Sequence, residues 1–183
     1  MARQLHAGEH IDLRDLRDFD VLQDIRWELV KLESGVCLLP CGDGDHFPQI
    51  FHWCEDKMLE RGIKNPIIHP LSHNGGALLL PPDSPLNDNN RGANLLKDIE
   101  IPIEKGIRTL MQFSHAPCLG ADKGKIGIME QIRLHKVADT ILQETYPQLQ
   151  VLCFFHVYWG DRKRIYFVSG ERWRAYQRLH MLM

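Results

Sequence analysis

The sequence predicts an α/β fold: a mostly parallel central sheet flanked by helices, with an antiparallel hairpin at one edge. Three observations carry this expectation. The short apolar run Val36 to Leu39 is what a strand covered on both faces requires, and Pro66 to Leu71 and Ile107 to Phe113 read as a second and a third strand. Segments with helix-like spacing alternate with them, the pattern of a parallel sheet with crossover helices. Two final strand-like runs, Val151 to Tyr158 and Arg164 to Val168, flank Gly160-Asp161 as a hairpin would.

Taken in order, Leu13 to Leu32 has apolar residues at Leu16, Phe19, Val21-Leu22, Ile25 and Leu29, which predicts an amphipathic helix ended by Gly35. After the Val36 to Leu39 strand and a turn through Pro40 to Gly44, a helix is predicted from Phe47 to Glu60, stopped by Gly62. The Pro66 to Leu71 strand leads towards Pro81-Pro82-Asp83-Ser84-Pro85 and Asn87 to Asn90, both loop signals. A helix follows over Ala93 to Lys105, with Pro102 marking a kink or an early end. Beyond the Ile107 to Phe113 strand, Lys125 to Thr145 is the longest helical pattern. Glu171 to Leu182 closes the chain as another helix.

The 183 residues are enough for one domain with a sizeable core, and the 44% hydrophobic and 25% charged fractions are ordinary for a globular protein. A formal net charge of −2 argues against a nucleic-acid surface. The basic clusters Arg162-Lys163-Arg164 and Arg172 to Arg178 read as a solvated turn and a helix face. No apolar run is long enough to span a membrane, and Met1 to Arg17 lacks the apolar core of a signal peptide, so a cytoplasmic location is expected. Five widely spread cysteines in such a compartment favour metal ligation or buried thiols over disulfides.

The chemistry concentrates in two motifs, each closing an apolar run: Cys41-Gly42-Asp43 and His115-Ala116-Pro117-Cys118. Two thiolates, an imidazole and a carboxylate form an apt donor set for zinc. Both motifs fall at strand ends, where open α/β sheets bind ligands. Cys37 and Cys153 lie inside apolar runs and are expected in the core. Cys54, with His46 and His52, is a second grouping. On a helix, however, His52 and Cys54 are two apart and point away from each other.

These motifs resemble the signature of the β-class carbonic anhydrases, Cys-x-Asp-x-Arg after one strand and His-x-x-Cys-Gly after a later one. His73-Asn74-Gly75-Gly76 is similar to that family's Arg-Asn-Ala-Gly turn, and Asn94 to Leu110 to its helix-then-strand approach to the histidine. The resemblance covers roughly residues 35 to 168, leaving residues 1–34 as an N-terminal helical arm and 169–183 as a C-terminal helix of a single domain. Two departures stand out: Asp45 occupies the arginine position, and Leu119 separates Cys118 from Gly120. The connection between the motifs is also longer, chiefly through Pro81 to Asn90.

The resemblance implies a zinc ion held by Cys41, His115 and Cys118. Asp43 would act either as the catalytic carboxylate or as a fourth ligand closing the site. With Asp45 in place of a cation, the two carboxylates repel and zinc is the nearest positive charge, which favours the closed form. Lys123, Lys125 or Arg91 could substitute for the arginine. An open site would hydrate carbon dioxide to bicarbonate using a zinc-activated water. Phe47, Phe113 or Leu119 would form an apolar wall, and His73 or His46 would shuttle protons. Hydrolysis of carbonyl sulfide or carbon disulfide, and a non-catalytic zinc-stabilised protein, remain as alternatives. The partners expected are a small-molecule substrate and a second copy of the chain, as a homodimer or an assembly of dimers packed through the Leu13 to Leu32 helix, with no nucleic acid and no membrane.

Overall fold

The computed structural model describes residues 3–180. In chain order its elements are α1 (Ala7–Asp18), β1 (Leu22–Gln23), β2 (Val36–Leu39), α2 (Phe47–Glu60), β3 (Ile68–Pro70), α3 (Arg91–Glu104), β4 (Thr109–Ala116), α4 (Leu119–Lys123), α5 (Ile128–Thr145), β5 (Gln150–Tyr158), β6 (Lys163–Val168) and α6 (Gly170–His180). The strands form one sheet in the order β1-β6-β5-β4-β2-β3. The neighbours from β3 through β2 and β4 to β5 are parallel, and β6 pairs antiparallel with both β5 and β1. The fold class expected from the sequence is therefore observed. No helix among the described residues is long and apolar enough to cross a membrane.

Alternation along the strands divides the core. Val36 and Leu38 of β2, Met111 and Phe113 of β4 and Phe154 of β5 pack with Ile50, Cys54 and Met58 of α2. On the opposite face Cys37, Leu39 and Leu110 meet Leu95 and Ile99 of α3 and Leu142 of α5. Further along that face Cys153, Phe155 and Val157 meet α1, α5 and α6. Every residue of β2 and β4 is buried, as both-face coverage of a parallel strand requires. Cys37, Cys54 and Cys153 belong to this packing, and burial pushes each thiol up to about 12.

Several elements depart from the sequence expectation. Leu13 to Leu32 is not one helix: α1 begins at Ala7, where the Glu9 carboxylate accepts the His6 N–H at 2.8 Å, and ends at Asp18. Asp20 then adopts a positive φ of 56°, and Leu22 pairs with Val168. The apolar residues beyond Asp18, despite their helix-like spacing, fall on a short strand, a connecting loop and a 3-10 turn at Trp27–Leu29. Leu13, Leu16, Val21 and Leu22 are buried within the chain's own core, while Phe19 and Leu29 of the same stripe are exposed. Lys125 to Thr145 also divides: Lys125 has φ 54° and α5 starts at Ile128. α3 runs through Pro102 to Glu104. α6 ends its described length at His180, and Leu182 lies outside the described residues. Finally, β4 extends past Phe113 to Ala116, which puts His115 on the strand itself.

Candidate metal centre

Parallel pairing of β2 with β4 brings the two motifs to the same end of the sheet. Cys41 follows β2 and bridges His73, and Gly42 N–H donates to the His73 carbonyl at 2.9 Å. The 73–76 turn thus lies directly against Cys41. Gly75 N–H donates to Cys41 Sγ at 3.3 Å. Gly76 has φ +52°, and a Cβ there would lie 2.9 Å from Cys41 N and 3.2 Å from the Phe113 carbonyl. A side chain at this position would push apart the strand ends that carry the ligands.

His115 and Cys118 come from the end of β4 and the cap of α4. The Ala116–Pro117 peptide between them is cis. His115 Nδ1 lies 2.9 Å from the Pro117 carbonyl oxygen, which can only accept, so Nδ1 carries the proton. That tautomer leaves Nε2 with its lone pair, and Nε2 is buried without a hydrogen-bond partner. Cys118 Sγ accepts the Ala121 N–H at 3.5 Å. The two sulfurs and one histidine nitrogen lie within 4.8 Å of one another, and all three residues are buried.

These contacts fit a soft divalent cation. The adjacent Cys118 thiol, with help from the Gly75 N–H and against burial, holds the Cys41 sulfur well below an ordinary thiol. The closeness of Cys41, with burial, pushes Cys118 up. Two buried sulfurs this close, one favouring the thiolate, are a donor pair that a dication would satisfy. A buried imidazole lone pair facing two sulfurs needs such an acceptor to be satisfied.

Asp43 is not a member of this group. Its Oδ1 accepts the Asp45 N–H at 2.8 Å, and its carbonyl accepts the N–H groups of His46 and Phe47 at the start of α2. The half-buried Asp43 does line a cavity of about 220 Å³ together with Cys41, Asn74, Leu119, Gly120 and Lys123. Of the three cations considered from sequence, Lys123 is the one in this cavity. Arg91 instead donates to the Asn74 carbonyl at 2.9 Å and pairs with Asp88. Lys125 sits outside the lining, at the break between α4 and α5. Asp45 is exposed and outside the lining, with its carbonyl held by Lys163 at 2.7 Å.

Of the apolar residues considered, only Leu119 reaches the cavity; it is 60% exposed. Phe113 is core, stacked on Phe154, and Phe47 packs on Phe51. His73 points to Asp98, 3.7 Å away. The Cys54, His46 and His52 grouping does not assemble: Cys54 Sγ faces the Met111 sulfur, and His52 is exposed beside Glu55. His46 is buried rather than exposed, with its ring 4.0 Å from that of His115 and its Nδ1 2.9 Å from His156 Nδ1. Burial above all pushes His46 down to about 2 and His156 down to about 3, so both are neutral near pH 7. Sequence reasoning missed His156 because it lies within an apolar strand. Only the register opposite His115 reveals it.

No family model matches the chain, and no curated protein matches it. Among solved structures, a crystal structure of carbonic anhydrase from Streptococcus mutans is similar. It is 12% identical, the match covers 91% of this chain and 100% of that one, and the TM-score is 0.44.

Proposed function

We propose that this chain is a zinc protein of the β-carbonic-anhydrase kind that converts carbon dioxide and water reversibly to bicarbonate. The observation that carries this reading is the buried Cys41, His115 and Cys118 group, with an imidazole nitrogen left without a partner beside two sulfurs. Zinc held by these three residues would supply a Lewis acid that makes water nucleophilic near neutral pH.

The remaining roles fall to residues around the cavity. Asp43 has one carboxylate oxygen fixed by the Asp45 N–H, which leaves Oδ2 to accept a hydrogen bond from water in the cavity and orient it. Lys123 adds positive charge on the same wall, where it offsets Asp43 and the anion formed. Leu119 offers apolar surface to a small uncharged substrate. This reading takes the open branch of the sequence expectation. Lys123 replaces the arginine, and Asp45 serves through its backbone.

The test combines metal analysis of the purified protein with stopped-flow hydration from about pH 6.5 to 9. One zinc per chain and measurable hydration are the expected results. Lys123→Ala should lower hydration about tenfold, equivalent to about 1.4 kcal/mol, with zinc content unchanged. Asp45→Arg should have little effect. A strong gain from Asp45→Arg would instead favour the closed site. Zinc without hydration would favour a structural metal, and sulfide release from carbonyl sulfide would favour a hydrolase.

A further inference from the structure

We propose that a second pocket, remote from the metal centre in composition and independent of that functional reading, binds a small molecule bearing a diphosphate or comparable phosphate group. The pocket has a volume of about 320 Å³ and is lined by Arg14, Arg17, Asp18, Trp159 and Arg162. Three guanidiniums thus face one carboxylate in a molecule whose formal net charge is −2.

These arginines are not neutralised within the chain. Ion pairs occupy Arg3, Arg61, Arg91 and Arg133 instead. Among the described residues, the side chains of Arg14, Arg17 and Arg162 have no carboxylate partner. The nearby acid Asp15 accepts the Tyr176 hydroxyl at 2.5 Å, so it is turned towards α6. Two of the lining residues are nonetheless held in place. The Arg17 guanidinium lies 5.1 Å over the Tyr166 ring, and Trp159 Nε1 donates to the Tyr166 hydroxyl at 3.3 Å. The buried Tyr166 therefore positions a cation and an indole on the same pocket.

Three guanidiniums around one carboxylate leave an excess of positive charge, and an anion with several oxygens offsets it by forked hydrogen bonds. A diphosphate has the charge and the oxygen count to engage more than one arginine. The half-buried Trp159 indole provides apolar surface for whatever group the phosphate carries. Arg162 follows the Gly160-Asp161 turn, so the basic cluster read from sequence as a solvated turn divides. Arg162 faces α1, whereas Lys163 reaches Asp45.

Isothermal calorimetry on the full chain, with inorganic diphosphate and adenosine diphosphate as probes, tests the site. Saturable binding is expected for at least one probe, and a preference between them identifies whether phosphate alone or a phosphorylated organic group is the ligand. Arg14→Gln and Arg162→Gln should each weaken binding at least tenfold. Arg172→Gln, an exposed arginine on α6, should leave it unchanged. Thermal midpoints close to wild type would confirm that the variants are folded, and Arg14→Lys provides a milder change should Arg14→Gln fail to fold. Absence of heat with both probes at millimolar concentration would overturn the proposal. So would equal weakening in all three glutamine variants, which would indicate general charge attraction. Tighter binding of a short single-stranded RNA through the same arginines would also overturn it, in favour of a nucleic-acid surface.

Discussion

Gly76 shows how one backbone position governs the candidate metal group. Its φ of +52° belongs to the left-handed region, and the space a Cβ would need is occupied by Cys41 N, the Pro40 carbonyl carbon and the Phe113 carbonyl. None of these is the flexible end of a side chain. Gly76→Ala should therefore destabilise the fold by about 2 kcal/mol or more, from left-handed strain plus the clash. Urea unfolding measures this, and a loss below about 0.5 kcal/mol would show that the turn can move aside. That Cys41, His115 and Cys118 would come together was legible, because cysteine and histidine at the ends of paired strands mark a candidate site by their identity. The surroundings were not. That Lys123 rather than Arg91 shares the cavity with Asp43, and that His46 is buried against His115, follow from how α2 and α4 pack. Local sequence does not encode that packing.

At the level of the element, α5 covers the sheet and carries a buried titratable group. His135 is completely buried, and neither ring nitrogen has a hydrogen-bond partner among the described residues. Burial first, and then the charge of Lys136, lowers it from 6.5 to about 3. The unfolded chain thus binds a proton below pH 6.5 that the folded chain refuses. Stability from this group is complete above 6.5 and falls with pH until about 3. The limiting slope is about 1.4 kcal/mol per pH unit. Urea midpoints at pH 7.5 and pH 5.0 should differ less for His135→Leu than for wild type. An equal difference would assign the acid sensitivity to other groups. The helix itself was partly legible from sequence. Its apolar period is clear, but the break at Lys125 depends on a positive φ that no hydrophobic pattern reports. The same limit explains α1. Val21, Leu22, Ile25 and Leu29 continue a helical spacing while the chain has already left the helix to pair with β6. By contrast β2, α2 and β6 lie close to where their patterns place them, because burial on both faces or on one stripe selects a single periodicity.

Across the whole molecule, a metal held by Cys41, His115 and Cys118 would tie together parts that the core already holds in place. Cys41 extends from β2, while His115 and Cys118 extend from β4, and these strands pair in parallel over Val36 to Leu39. Separate apolar clusters pack both faces of the sheet, with Met111, Phe113 and Phe154 on one and Leu13, Phe155 and Tyr166 on the other. The sheet should therefore survive without metal, unlike small domains that fold only around an ion. A ligand that binds only the native state adds about 4 kcal/mol when present at a thousand times its Kd. In a domain of this size that corresponds to roughly 8–16 °C in Tm. Treating the zinc-loaded protein with a strong chelator should lower Tm by several degrees while leaving a cooperative transition and an unchanged far-ultraviolet circular dichroism spectrum. The double variant Cys41→Ser, Cys118→Ser should melt near the chelated wild type and ignore the chelator. No shift on chelation would remove the metal from the account. Collapse to an unfolded chain would show that the apolar clusters cannot hold the sheet without it.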